Sequence, residues 1–164
     1  MIARRALHRW VFVVAGAYNI VWGISTAVEP QWLYRLTGGE AADRAEFVTA
    51  LGLVIGLYGV LYLEVARAPE RGWLIAAVGL AGKVLGPIGL VWLIVRGEWL
   101  ASALWICVTN DFVWWAPFAL YLRDAWPTFR GSLRSAHVNV DRIGSNYERE
   151  DAEHKQRNQR QTYP

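Results

Sequence analysis

The chain has 164 residues, 54% of them hydrophobic and only 19% charged, with a formal net charge of +3. Soluble domains usually carry roughly 25% charged residues, and here the apolar residues crowd into 10–122 while 123–164 is polar, which excludes an ordinary soluble globule and points to an integral membrane domain with a polar tail. One cysteine, Cys107, excludes an intramolecular disulfide, a CxxC redox pair and a Cys-rich zinc site.

Arg4, Arg5 and Arg9 precede the first apolar run, Trp10–Val28, whose only strongly polar member is Asn19. A basic start, an apolar run and Ser25-Thr26-Ala27 also fit a cleaved signal peptide, but Trp, Tyr and Asn within the run argue against it. Glu29–Leu36 reads as a solvated loop or as a short interfacial helix with Trp32, Leu33 and Leu36 on one face and Arg35 toward water. Gly38-Gly39 ends that piece and Glu40–Glu46 opens the next helix. The second span covers about residues 47–66 and carries a small-residue stripe, Gly52, Gly56 and Gly59. The third, about 72–95, is interrupted by Lys83, and the fourth, about 99–122, by Asp111. A helix of about 20 residues crosses a hydrocarbon core, so all four qualify. The loops Ala66–Arg71 and Arg96–Glu98 are short, which makes spans two to four antiparallel neighbours. The predicted fold is therefore all-α: a polytopic, up-down four-transmembrane-helix bundle over residues 1–122, followed by a polar tail, 123–164.

Thirteen Lys/Arg flank the spans on the side of the termini and three on the other. Both termini are thus expected in the cytoplasm. The tail holds eight basic and six acidic residues. It reads as a solvated, largely disordered segment, or as a docking segment for a cytoplasmic partner or anionic head groups.

Lys83 lies eleven positions in from Gly72, Asp111 eleven from Leu122, and Asn19 ten past Arg9. At about 1.5 Å per residue all three sit roughly 15–17 Å deep, near the midplane, with Asn110 beside them. The Lys83 stem reaches only about 6 Å and cannot bring its charge to the head groups. A lone ammonium there costs about 2.5–3.5 kcal/mol. A direct Lys83–Asp111 pair is therefore expected, supported by amide hydrogen bonds from Asn19 or Asn110. The pair either fixes helix register or opens for a proton, an ion or a polar head group.

Gly79 and Gly86 flank Lys83 at helical spacing, and Gly52 and Gly56 do the same in span two, so these faces should pack closely. Pro87 removes the helical partner of the Lys83 carbonyl, which Asn110, Asn19, the Lys83 ammonium or a water is expected to replace. Pro117 likewise frees the carbonyl of Val113. The two kinks should splay the helices and leave a small cavity. Trp22, Trp105, Trp114 and Trp115 suit flat contact with a hydrophobic ligand or a partner. His8 lies at a membrane edge, and His137 and His154 in the tail, so a haem or deep metal site is not expected. Nor is a phosphate loop or a nucleic-acid interface. Cys107 reads as an inert apolar thiol.

Gly82-Lys83-Val84-Leu85-Gly86-Pro87-Ile88-Gly89, Arg96-Gly97-Glu98 and Thr109-Asn110-Asp111-Phe112-Val113-Trp114-Trp115-Ala116-Pro117-Phe118 together resemble a set of bacterial four-helix membrane proteins, distantly similar to DoxX-like membrane proteins. The resemblance covers about residues 7–122. It implies the same architecture and puts weight on Lys83, Asn110 and Asp111; some DoxX relatives are associated with quinone-linked sulfur oxidation. The expected function is non-enzymatic: an accessory or scaffolding subunit of a larger membrane complex or homo-oligomer, in contact with membrane lipid and holding a lipid or quinone between kinked helices. The alternatives are a small transporter or proton-relay subunit using Asp111 and Lys83, and a DoxX-like quinone-linked redox partner.

Overall fold

The computed structural model describes residues 2–37 and 45–162, with side chains at 2–37, 45–135, 147 and 149. The elements in chain order are α1 (Arg5–Val28), α2 (Gln31–Thr37), α3 (Ala45–Arg67), α4 (Trp73–Val95), a 3-10 turn (Ala101–Ala103), α5 (Leu104–Cys107), a π-helical turn (Val108–Phe112) and α6 (Val113–Thr162). No strand occurs among the described residues. Four stretches are long and apolar enough to cross a membrane: Arg5–Val28, Ala45–Arg67, Trp73–Val95 and Ala101–Ser135. The all-α four-helix membrane bundle is the observed fold.

Of the two readings of Glu29–Leu36, the short helix is the one adopted, as α2, with Leu33 buried and Leu36 exposed. The expected Gly38-Gly39 break and the helix start at Glu40 lie outside the described residues up to Arg44. Gly97 closes α4 in a left-handed conformation (φ 76°), with Gly97 N–H on Ile94 O and Glu98 N–H on Leu93 O. That is the arrangement for which glycine is favoured at a helix end.

The chain divides into two compact units, Met1–Trp126 and Pro127–Pro164. In the first, α1 and α3 lie backbone to backbone. A methyl group placed on Gly16 would stand 2.8 Å from Gly59 O, one on Gly23 2.5 Å from Gly56 N, and one on Gly52 2.7 Å from Ala27 N. These pairings run in opposite senses, so the helices are antiparallel. The expected role of Gly52 is met in this seam, and Gly56 is the surface that Gly23 leans on.

Aromatic rings join α1 and α3 to the first part of α6. Phe12 meets Phe118 at 4.6 Å and Tyr121 at 4.8 Å between ring centres, Tyr62 meets Phe118 at 5.0 Å, and Tyr18 meets Trp114 at 5.8 Å. Across from them Trp73 of α4 packs on Trp126 at 5.3 Å and donates its indole N–H to Leu122 O. The pairings again run antiparallel, giving an up-down-up-down square. Gly79 of α4 receives the Tyr62 ring of α3, and the Tyr121 hydroxyl donates to Pro69 O in the α3–α4 loop at 2.6 Å. The half of the bundle nearest the N-terminus is thus filled by large rings.

The second unit is one helix, the remainder of α6 to Thr162. The segment expected to be largely disordered is helical. Its Arg, Gln, Glu and Ala content accounts for that, since these are good helix formers; polarity on every side removes a core but does not break a helix.

Candidate functional site: a polar recess between α1, α3, α4 and the π-turn

The site begins with two breaks in helical hydrogen bonding. In the π-turn the N–H of Val113 reaches back to Val108 O. The Thr109 carbonyl thereby loses the donor it would have in a regular α-helix, and the Trp114 indole N–H replaces it at 3.2 Å. The next carbonyl, Asn110 O, accepts from Lys83 Nζ at 2.5 Å. The Lys83 ammonium also stands 5.9 Å from the centre of the Trp114 ring, within reach of its negative face.

The second break is at Pro87. The freed carbonyl of Lys83 accepts the Trp115 indole N–H at 3.1 Å. The expected donors were Asn110, Asn19, the ammonium or a water; the actual donor comes from a ring. An indole reaches farther than an amide, and α6 presents Trp115 at this height. Trp114 and Trp115, expected as ligand or partner contacts, are therefore engaged in repairing backbone.

Lys83, Asp111 and Asn19 are all buried, with 4%, 6% and 3% of their surface exposed. The expected direct ion pair is nonetheless absent: no ammonium-to-carboxylate contact within 4.0 Å joins Lys83 to Asp111. The two are linked through one residue. Lys83 binds the Asn110 main chain, and the Asn110 side-chain amide donates to Asp111 Oδ1 at 3.2 Å. The π-turn is the reason, because it turns the Asn110 carbonyl toward α4, where the ammonium meets it first. Asn19 supports neither charge: its Oδ1 is buried with no hydrogen-bond partner, and so is Asn110 Oδ1.

These groups line a cavity of about 490 Å³, together with Trp22 of α1 and Cys107 at the end of α5. One wall is a face of α4. Gly82 and Gly89 have nothing within 4 Å of where a methyl group would stand, and Gly86 has only the Asp111 carboxylate at 3.8 Å. Tyr62 against Gly79 closes the cavity toward the N-terminal end, and Leu33 and Trp99 border it at the other. Leu51 and Val54 of α3 and Leu85 of α4 line it and are also exposed, so its mouth opens between α3 and α4.

Of the predicted residues, Lys83, Asp111, Asn110, Asn19, Gly79, Gly86 and Trp22 meet at this recess. Trp105 does not; it is 76% exposed on the outside of the bundle. Gly82 and Gly89 were not singled out, although their spacing from Gly79 and Gly86 marks a single helix face.

A second polar cluster was not foreseen. Asp124 accepts from Arg4 Nε and Nη2 at 2.8 and 2.6 Å, and its Oδ2 lies 2.8 Å from His8 Nε2. His8 is 1% exposed, edge-on to Tyr121 at 5.3 Å. Arg4 itself is held in a left-handed conformation, φ 54°. Beside it Arg5 pairs with Glu70 at 2.6 Å, and that guanidinium hydrogen bond holds the Glu70 carboxyl below its usual range. The sequence reading ended span four at Leu122; one further helical turn would have placed Asp124 on the face of Tyr121.

No family model, curated protein or solved structure matches the chain.

Proposed function

We propose that this is a non-enzymatic membrane protein, an accessory subunit whose recess takes up a lipid-soluble molecule from the bilayer through the gap between α3 and α4. One observation carries the reading: a cavity of about 490 Å³ bears a buried ammonium, a buried carboxylate and a buried amide on otherwise apolar walls. That volume falls within the range of about 300–1,000 Å³ usual for small-molecule sites, as does the pattern of few polar groups on apolar walls. A lipid or a quinone is the expected occupant. The excess of basic residues on the side of the termini favours both termini in the cytoplasm, and the resemblance implies a bacterial inner membrane. Exposed Trp10, Trp92 and Trp105 are suited to contact with a larger complex or another copy, or with lipid.

Native mass spectrometry of the protein released gently from its host membrane tests this. The expected result is one retained lipid-soluble molecule per chain and co-release with a larger assembly. Repeated release as a bare, single chain overturns the reading. A proton relay is the second reading, favoured by the two buried ionisable groups, Lys83 and Asp111, that line one cavity. Proton flux in liposomes that is unchanged by Asp111→Asn would remove it.

A further inference from the structure

Within that reading, which leaves the partner open between a larger complex and another copy, we infer that α6 from Phe129 to Tyr147 pairs with the same segment of a second copy of this chain, parallel and in register. Phe129, Leu133, Ala136, Val140, Ile143 and Tyr147 follow one another at alternating steps of four and three along an unbroken helix. That spacing is the a/d seam of a heptad repeat, narrower than the apolar face of an ordinary surface helix. Leu133 and Tyr147 on this seam are exposed.

The composition of the helix calls for a cover on the seam. Of residues 148–162, eleven of fifteen are good helix formers (Ala, Leu, Arg, Lys, Gln, Glu); of residues 127–147 only five of twenty-one are, and two are glycine. Both stretches are nonetheless helical. The later one holds by propensity, whereas the earlier has the composition of a helix held by packing of its apolar stripe. The stripe ends where the good formers begin, since the next two seam positions are Glu150 and His154.

The membrane selects the occupant. Two copies inserted with the same orientation are related by a two-fold axis along the membrane normal. Helices packed about that axis run parallel, and each seam position meets its own copy. The flanks permit this pairing. Between Phe129 and Tyr147 the e and g positions hold Arg130, Ser132, His137, Asn139, Gly144 and Asn146, one full charge among six, while Arg134, Asp141 and Arg142 fall at b and c. The g-to-e pairs of a parallel dimer, Ser132–His137, Asn139–Gly144 and Asn146–Asp151, set no like charges against each other. A helix lying on anionic lipid is favoured instead by basic residues bordering its stripe, with their stems along it and their charges at the head groups. The seam is about 27 Å long, shorter than the three to four heptads of a self-standing coiled coil; confinement of both copies to one bilayer raises their effective concentration.

Cysteine cross-linking of the full chain in native membranes tests this, with Cys107→Ala as background so that the introduced thiol is alone. Under mild oxidation Val140→Cys, at an a position, is expected to give at least tenfold more disulfide-linked dimer than Ser145→Cys, at an f position. Adding Ile143→Asp to Val140→Cys should cut that yield at least fivefold. Equal yields at the two positions, or no dimer at either, overturn the inference and leave the recess reading standing. So does a fluorophore on Val140→Cys that is quenched by head-group-labelled lipid with no dimer formed, the result for a stripe lying on the bilayer. Native mass spectrometry of the unaltered chain in polymer-excised nanodiscs counts copies without any substitution. An even number is expected; a single copy overturns the inference, while the retained lipid-soluble molecule is scored separately and decides the recess.

Discussion

A methyl group added to Gly23 on the α1–α3 seam would lie 2.5 Å from the Gly56 nitrogen, whereas one added to Gly82 or Gly89 on α4 would meet nothing within 4 Å. The two helix faces share a composition, and both carry glycine at spacings of three, four and seven residues. In the seam the absent side chains let two backbones touch. On α4 they leave space, because Tyr62 wedges against Gly79 and the π-turn opposite contributes polar groups in place of apolar packing. Small residues in a membrane helix thus permit close approach; what the neighbouring helix presents decides whether it occurs.

Gly→Leu substitutions should separate the two faces most widely. Gly23→Leu is expected to destabilise the bundle by about 3 kcal/mol or more, since a backbone must move rather than a side chain, read as a fall in thermal unfolding temperature in detergent. Gly56→Ala, whose added carbon would meet Gly23 Cα at an ordinary 3.9 Å, should be tolerated. If both behave alike, the seam is not closed as described. Gly89→Leu, in contrast, should leave unfolding nearly unchanged and reduce ligand retention at least tenfold by filling the recess; unaltered retention would place the ligand elsewhere.

Smaller effects sharpen the open side. Trp115→Phe removes the donor to the carbonyl freed by Pro87 and should cost about 1 kcal/mol. Gly82→Ala should stabilise by about 0.5–1 kcal/mol, through lost freedom of the unfolded chain and with no clash to offset it. The smallest effect is one of pH. The Glu70 carboxyl is held below its ordinary value of 4.5 by Arg5. Its contribution is present above that value and disappears as pH falls through the lower, folded one. Glu70 is 38% exposed, so solvent screens the pair. Unfolding followed from pH 6 to pH 3 should show a slight acid loss that Glu70→Gln removes.

The four spans were legible because hydrocarbon thickness fixes a helix length, and composition reports it directly. The depth of Lys83, Asp111 and Asn19 was legible for the same reason: rise per residue converts position into height. Azimuth was less so. Whether Lys83 meets the Asp111 carboxylate or the Asn110 carbonyl depends on a π-turn that no residue type between Val108 and Phe112 announces. Pro87 did announce an orphan carbonyl, but its donor, the Trp115 indole, comes from a different helix and could not be ranked against nearer amides. The Arg4–His8–Asp124 cluster escaped because hydropathy ended the fourth span at Leu122, while the backbone continued as helix. Asp124 looked like the first residue of a tail.

The π-turn has one more consequence. By spending an additional residue in a single revolution, it acts as a rotary offset: Cys107 and everything before it in the fourth crossing are turned by about 100° relative to the α6 residues that follow, compared with an unbroken α-helix. Aromatic packing around Phe118 and the wall of the recess at Cys107 are therefore set to independent angles on one crossing. Excision of Val108 from this turn would resynchronise them and swing the upstream segment off its wall, so the length of the stretch sets an angle while Asn110 and Asp111 within it supply the polar groups.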